Sequence, residues 1–267
     1  MWSRAVAVLS FLVFFSGGDV WAKNLGHRVG AGKNEFHKDL PENSIVALNA
    51  AVTKDTTGQA LQDHPDFRYC EFDVQETADH QLVLFHDESL VRMLPDQEFN
   101  RAAIEMIITD PKVKKRVGKK KVEYKDLETR HLTLAQIQSL RFGEKWKAGP
   151  VEGVPTLKDF LDAAMSLKLA KPIGAEVKLL YSDQGKNEYI RLLENYRNLY
   201  ALPNPPKQEK GYDMSADGVS VLAGKVAFRR TFGRVFTRKR KTWCQTLSKH
   251  GFKFIYRTGA HSENHCR

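Results

Sequence analysis

Two carboxylates are separated by a single residue in a segment that otherwise has the composition of a buried strand. Glu71 and Asp73 alternate with Phe72 and Val74, so a β-strand would project both acids from one face. Two carboxylates on a buried face are destabilising unless a cation neutralises them. Oxygen ligands favour a hard divalent ion, Mg²⁺ or Ca²⁺. The spacing therefore indicates a metal site, with a solvent-exposed face of an edge strand as the alternative.

Further ionisable residues stand within or at the ends of short apolar runs. They are His27-Arg28, His86-Asp87, and Glu176 with Lys178. In a parallel α/β barrel the carboxyl ends of the strands converge on one mouth, and ionisable residues there are typically catalytic. Taken singly, His27 could be structural, Glu176 and Lys178 an exposed ion pair, and Asp87 a loop cap. Their occurrence together favours an active site.

Apolar runs alternate with segments of helical spacing along the chain. Short strands are expected at 25–29, 69–74, 82–85, 173–179, 218–228 and 252–257, and helices at 43–52, 132–140, 157–169 and 188–200. This alternation predicts an α/β fold with parallel strands. The polar, lysine-rich stretch 94–130 interrupts the pattern and is expected to be an insertion, and 201–218 is expected to be a loop.

The composition is that of an ordinary globular protein. Of 267 residues, 42% are hydrophobic and 28% are charged, which excludes wholesale disorder and collagen-like sequence. Three cysteines are too few for a disulfide scaffold. Cys70 is expected to be a buried thiol in a strand, while Cys244 and Cys266 could pair.

The net charge of +10 is concentrated in two segments. Residues 112–121 and 229–241 each hold seven basic side chains and no acid, so the rest of the chain is mildly acidic. This distribution indicates local attraction to anions, an anionic membrane surface included, rather than a protein that coats nucleic acid. No specific nucleic-acid partner is expected. The alternative for each segment is a solvated basic face.

The first 22 residues have the pattern of a secretory signal peptide. Arg4 supplies a positive start, residues 5–15 form an apolar run, and Val20-Trp21-Ala22 offers small residues before a cleavage point. An eleven-residue run is short for a bilayer span, which needs about 20 residues. We therefore expect an exported protein, periplasmic or secreted, with a mature domain over 23–267; a membrane anchor or a buried helix is the alternative.

The ordered set of motifs resembles the glycerophosphodiester phosphodiesterase family. The resemblance covers about residues 26–178 and comprises His27-Arg28, Pro41-Glu42-Asn43-Ser44, Glu71-Phe72-Asp73-Val74 with Thr77, His86-Asp87, and Glu176-Val177-Lys178. It implies a TIM-type (β/α) barrel and a metal-dependent enzyme. The implied substrate is a small-molecule glycerophosphodiester, cleaved to sn-glycerol 3-phosphate and an alcohol.

The resemblance also implies a role for each matching position. The implied ligands of the divalent ion, Mg²⁺ or Ca²⁺, are Glu42, Glu71, Asp73 and Glu176. His27 and His86 match the acid–base catalysts, and Arg28 and Lys178 match contacts to the substrate phosphate. Such residue types suit phosphodiester hydrolysis, because positive groups stabilise the developing charge while imidazoles transfer protons near neutral pH.

Three features depart from the family pattern. Val29 stands where the family usually has glycine, and residues 33–40 lengthen the loop between His27 and Glu42. Only 89 residues follow Lys178, so the C-terminal half of the barrel is expected to be shortened or irregular. Two alternatives remain open: a phospholipase C-like or D-like relative acting on lipid headgroups, and a non-catalytic secreted protein that binds anionic surfaces through 112–121 and 229–241.

Overall fold

The computed structural model describes residues 24–32, 35–143, 153–200, 219–223, 243, 245–258 and 261–264. Its strands are β1 (Cys70–Glu76), β2 (Leu82–Leu84), β3 (Ile173–Leu179), β4 (Val219–Ala223), β5 (Lys253–Thr258) and β6 (His261–Asn264). Its helices include α1 (Ile45–Val52), α2 (Glu98–Thr109), α3 (Pro111–Val117), α4 (Leu134–Gln138), α5 (Leu157–Ser166) and α6 (Asp183–Leu199).

The described strands form one sheet in the order β2-β1-β3-β4-β5-β6. The four central strands are parallel, and the edge strands β2 and β6 pair antiparallel with their neighbours. The predicted α/β class is therefore confirmed. Within the described residues the sheet ends on antiparallel β6, which agrees with the expected irregular C-terminal half of the barrel.

Local signals place most of these elements correctly. The hydroxyls of Ser44, Thr133, Thr156 and Ser182 each accept a backbone N–H of the helix that follows, which is the usual N-cap contact. Strand β3 has the predicted bounds. Helix α6 begins five residues earlier than expected because the Ser182 cap precedes a polar first turn.

The prediction of a strand at 25–29 is wrong, because His27–Gly30 form a single tight turn. Arg28 and Val29 have φ angles of 50° and 65°, which a strand cannot contain. The turn nevertheless lies against β1, where the backbone N–H of Glu71 donates to the carbonyl of Gly26 at 2.8 Å. A Cβ at Gly26 would lie 2.0 Å from the carbonyl oxygen of Tyr69, so this approach requires glycine.

The main hydrophobic core lies between the sheet and helices α1, α5 and α6. Cys70, Phe72 and Val74 of β1 are buried in it, and the Phe72 ring contacts that of Phe160 on α5 with centroids 4.7 Å apart. The opposite face of β1 carries Glu71 and Asp73, as the alternation predicts. Cys70 is a buried free thiol, as predicted.

The insertion at 94–130 is helical and has a hydrophobic core of its own. Ile104 and Ile107 of α2 and Val113 of α3 are buried with Val83 and Phe85, which belong to the segment of β2. The two sides of β2 are therefore divided: Leu82 and Leu84 face the main core and Val83 faces the insertion. The insertion is thus packed onto the hairpin rather than being a solvated loop.

Segment 112–121 lies on α3 and the turn after it, with Gly118 in the left-handed conformation at the helix end. Segment 229–241, the predicted signal peptide at 1–22, and Cys244 and Cys266 lie outside the described residues. Among the described helices, none combines the length and apolar character that a bilayer crossing requires.

Val29 provides a test of the tight turn before β1. A β-branched residue at positive φ carries backbone strain of about 1–3 kcal/mol. Val29 and Val74 are both fully buried, but only Val29 has positive φ. Both Val29→Gly and Val74→Gly should lower the free energy of unfolding. The loss should be about 1–3 kcal/mol smaller for Val29→Gly, because glycine relieves the strain at this position. Chemical denaturation of both variants measures the difference, and equal losses would contradict a strained turn.

Candidate active site

The register of β1 and β3 brings three predicted metal ligands together. Asp73 is paired with Glu176 across the two parallel strands, and Glu71 lies two residues before Asp73 on the same face. Carboxylate oxygens of all three lie within 4.8 Å of one another. Glu71 and Asp73 are 2% and 0% exposed, so this is a carboxylate cluster inside the protein.

Glu71 is the least compensated member of this carboxylate cluster. Its Oε2 accepts the backbone N–H of Arg28 at 2.6 Å, whereas its buried Oε1 has no hydrogen-bond partner. Burial, together with the charges of Asp73 and Glu176, raises the pKa of Glu71 well above its usual range. A buried carboxylate oxygen without a donor is suited to receive a cation.

Asp73 is held in its charged form. Burial opposes ionisation, but the charge of Lys178 and a hydrogen bond from Asn43 lower the pKa of Asp73. The Lys178 ammonium lies 3.1 Å from Asp73 Oδ1 and also contacts Glu176. Asn43 donates to Asp73 Oδ2 at 2.9 Å and accepts the backbone N–H of Asp73 at 3.0 Å.

Strand β2 brings His86 back to this cluster. Because β2 runs antiparallel to β1, the chain after it returns along β1, and the N–H of Phe85 donates to the carbonyl of Asp73 at 3.0 Å. His86 is the next residue. The expected convergence of strand carboxyl ends therefore does not position His86; the hairpin does, because the acids stand along β1 rather than at its end.

The contacts of His86 define its protonation pattern. Its Nδ1 lies 2.7 Å from Asp87 Oδ1, and its Nε2 lies 2.7 Å from Arg28 Nη2. A carboxylate only accepts and a guanidinium only donates, so Nδ1 carries the hydrogen and Nε2 presents its lone pair. His86 is thus a neutral imidazole with its accepting nitrogen directed at the phosphate-binding candidate Arg28.

His27 has a comparable arrangement. Its Nδ1 lies 2.9 Å from Glu35 Oε1, and its Nε2 lies 4.0 Å from Glu71 Oε2. Glu35 comes from the lengthened loop at 33–40, so the extra residues supply the partner that orients this ring. Each histidine is therefore held at Nδ1 by a carboxylate, and its Nε2 faces the site.

Glu42, predicted as the fourth ligand, lies beside two arginines instead of with the three clustered carboxylates. Its Oε2 accepts from Arg28 Nη1 at 2.9 Å and from Arg92 Nη1 at 3.1 Å, and Arg92 Nη2 contacts its Oε1. Arg92 also binds Asp87 through Nη2 at 2.9 Å. Burial opposes ionisation of Asp87, but its hydrogen bonds with His86 and Arg92 lower its pKa. A ligand role for Glu42 stays a prediction.

Among the described residues, the acids of the site outnumber its fixed cations. The acids are Glu42, Glu71, Asp73, Asp87 and Glu176, and the fixed cations are Arg28, Arg92 and Lys178. An excess of acids in a largely buried site is costly without a further cation. Oxygen-only donors and the unpartnered Glu71 oxygen fit a hard divalent ion, so the residues present suit the predicted metal.

All eight predicted site residues lie in this region, together with four further contributors. Asn43 and Asp87 belong to the motifs of the resemblance but have no predicted role at their positions, and Glu35 and Arg92 belong to none of the motifs. The adjacency of His86 and Asp87 was a usable signal for a histidine–carboxylate contact. Arg92 and Glu35 had no such signal, because only folding brings them to their partners.

Comparison with known proteins identifies the family to which the sequence is related. The sequence model of the glycerophosphoryl diester phosphodiesterase family matches residues 36–196, more than half of the chain. A search of curated proteins found no match.

Two solved structures illustrate the structural similarity. A glycerophosphodiester phosphodiesterase from Agrobacterium tumefaciens is 16% identical, with a TM-score of 0.44 over 80% of this chain and 60% of that one. A phosphodiesterase from Oleispira antarctica, solved with the product sn-glycerol-3-phosphate, is 14% identical, with a TM-score of 0.42 over 82% of this chain and 80% of that one. This chain thus spans about three fifths of the length of the Agrobacterium protein.

The family assignment rests on the sequence-model match, which includes the carboxylates at 42, 71, 73 and 176 and the histidine at 86. The predicted relationship is therefore confirmed, and with it the TIM-barrel class of the fold. This chain belongs to the glycerophosphoryl diester phosphodiesterase family.

Proposed function

We propose that the protein hydrolyses small glycerophosphodiesters to sn-glycerol 3-phosphate and an alcohol, with a divalent metal and two histidines. The observation that carries this proposal is the carboxylate cluster of Glu71, Asp73 and Glu176 beside two carboxylate-held imidazoles. A cation site next to a matched pair of proton-transfer groups is the equipment that phosphodiester hydrolysis requires.

Glu71, Asp73 and Glu176 would hold the metal, with Glu42 as a further ligand if its arginine partners turn to the substrate. When bound, a Mg²⁺ or Ca²⁺ ion supplies positive charge that stabilises the phosphoryl oxygens as negative charge develops. The family resemblance does not decide between the two ions, and the oxygen donors suit both.

The histidines would share the proton transfers. The lone pair on His86 Nε2 suits a general base, which accepts the proton of the attacking hydroxyl, and His27 would then donate to the leaving alkoxide. Asp87 and Glu35 would hold the two rings at Nδ1 and stabilise each imidazolium as it forms. Because the reaction needs one acid and one base, removal of either ring should stop it.

Arg28 and Lys178 would bind the phosphate. Each now neutralises carboxylates of the site: Arg28 contacts Glu42, and Lys178 contacts Asp73 and Glu176. Arrival of a metal would take over part of that neutralisation and leave both side chains able to contact a phosphate. A guanidinium is well matched to two phosphate oxygens.

The proposal includes export, supported by the signal-like pattern at 1–22, and it extends to an anionic membrane as a second partner through the basic segments. A phospholipase C-like or D-like action on lipid headgroups remains the alternative reaction. The proposed reaction releases sn-glycerol 3-phosphate from glycerophosphocholine, which a coupled dehydrogenase assay detects. Release of phosphatidic acid or diacylglycerol from phosphatidylcholine would instead indicate the lipid-headgroup reaction.

We expect the metal to be required and to stabilise the fold. EDTA should abolish turnover, and Ca²⁺ or Mg²⁺ at about 100 times its dissociation constant should stabilise the protein by about 2.7 kcal/mol. Glu71→Gln should fold, because a neutral side chain suits a site where burial favours the protonated acid, yet it should lose this stabilisation. Thermal denaturation with and without metal is the measurement. The control is Glu98→Gln, an exposed acid of α2; equal metal stabilisation of both variants would refute the assignment.

We expect His27→Ala and His86→Ala each to lower kcat at least about a hundredfold, the typical contribution of a positioned acid or base. The exposed His64 offers a matched control, and His64→Ala should leave turnover unchanged. Steady-state assays with glycerophosphocholine measure the effect, and circular dichroism checks the fold. Full activity of His86→Ala would rule out its role as an acid or base.

Asp87→Asn tests how His86 is held. The variant should lower kcat about tenfold through a misoriented ring. The folded-state pKa of Asp87 is lowered, so its contribution to stability is present above the unfolded carboxyl pKa of about 3.9 and is lost as the pH falls below it. The stability difference between wild type and variant should therefore be present at pH 7 and vanish in acid. Asp96→Asn, at an exposed site, is the control; a pH-independent difference would contradict this account.

A further inference from the structure

A second concave site lies between the insertion and the main domain. It is a cavity of about 850 Å³ lined by Ala78, His80, Arg116, Val117, Lys119, Lys125, Asp126, Glu128, Arg130, His131, Leu179 and Tyr181. None of these residues belongs to the candidate active site. The volume is within the range of about 300–1,000 Å³ that is usual for small-molecule sites.

Glu76 lies next to two of the lining residues, His80 and Tyr181. Glu76 at the end of β1 points away from Glu71 and Asp73, toward the start of α6, where it accepts from the backbone N–H groups of Tyr181 and Ser182. Its other oxygen lies 2.7 Å from Nδ1 of His80, a lining residue. Both carboxylate oxygens of Glu76 are thereby engaged.

The lining is predominantly basic. Its four Lys and Arg side chains outnumber its two carboxylates. Lys119 pairs with Asp126 at 2.6 Å and Arg130 with Glu128 at 2.8 Å, while Lys125 pairs with Glu123 outside the lining at 2.6 Å. The lysines of two of these pairs, Lys119 and Lys125, are exposed, and such pairs are weak, so an incoming anion can compete for these two cations.

Arg116 differs from the other three cations. Its Nε donates to the carbonyl of Lys112 at 3.2 Å, and among the described residues its guanidinium has no carboxylate within 4.0 Å. Arg116 and Arg130 are both close enough to Tyr181 to oppose the rise of its pKa to about 12, which burial and the charges of Glu76 and Asp79 cause. Arg116, Arg130 and Tyr181 all line this cavity.

Helix stabilisation accounts for only part of this basic character. Lys114, Lys115 and Arg116 occupy the last turn of α3, where positive charge is favourable. That effect needs no cavity, and the exposed Lys115 is absent from the lining. The helix dipole therefore does not explain why Arg116 lines the cavity with Lys119, Lys125 and Arg130.

We propose that this cavity binds an anion carrying a phosphate group, with Arg116 and Arg130 as its principal contacts. Guanidinium groups bind phosphate oxygens through two parallel hydrogen bonds, and the neighbouring lysines add charge without fixed geometry. The phosphate could belong to a soluble phosphate compound or to the headgroup of a lipid. The site is separate from the catalytic centre and does not depend on the proposed reaction.

Inorganic phosphate is the first probe, added to the EDTA-treated full chain and followed by isothermal titration calorimetry. Arg116→Gln and Arg130→Gln should each raise the dissociation constant about tenfold, because each removes charge-assisted hydrogen bonds. Lys115→Gln removes the same charge from the neighbouring position outside the lining and should leave the constant unchanged. If Arg116→Gln fails to fold, Arg116→Lys replaces it. This variant retains the charge but not the guanidinium geometry, so its dissociation constant for phosphate should rise less than about tenfold above that of the wild type.

Flotation with phosphatidylglycerol vesicles, against phosphatidylcholine vesicles, identifies the source of the phosphate group. Binding that depends on Arg116 in both assays indicates a lipid headgroup; dependence in calorimetry alone indicates a soluble compound. Arg116→Gln should not change the turnover of glycerophosphocholine. A failure of the phosphate-binding proposal can therefore be told apart from a failure of the proposed enzymatic function. The proposal is overturned if wild type does not bind phosphate, or if Lys115→Gln weakens binding as much as Arg116→Gln.

Discussion

The structure of the candidate site depends on mutual repulsion among carboxylates that the sheet forces together. Strand register places Asp73 beside Glu176, and side-chain alternation adds Glu71. Burial removes the water that would otherwise screen them. The surrounding contacts can be understood as responses to this charge: Lys178 lies against two of the acids, Asn43 donates to Asp73, and Glu71 retains an oxygen without a donor.

The two histidines reach this charge by different routes. His86 follows an antiparallel hairpin, whereas His27 stands in a tight turn held against β1 through a glycine. Both rings are nevertheless held in the same way, by a carboxylate at Nδ1. Arg28 connects the two halves, because its backbone N–H contacts Glu71 and its guanidinium contacts Glu42 and His86. A displacement of the turn would therefore change the contacts of Glu71, Glu42 and His86 together.

Much of this arrangement could be predicted from local patterns. Alternation along 71–74 indicates which face carries the acids, and Thr156 and Thr133 mark helix starts through their hydroxyls. Long-range geometry could not be predicted in this way. The positive φ angles at Arg28 and Val29 replaced an expected strand with a turn, and the partnership of Arg92 with Glu42 joins residues fifty positions apart. The insertion was interpreted as polar because its lysines dominate the composition, although its buried isoleucines form a core.

The two hydrophobic cores share strand β2, and this connects the insertion to the candidate site. Val83 and Phe85 anchor the inserted helices, while Leu82 and Leu84 anchor the sheet, and His86 is the next residue along the chain. A change of length or packing in the insertion would consequently be transmitted to the imidazole through a strand of three residues. An insertion of different length would therefore need a matching hairpin to keep the His86 imidazole in its present position.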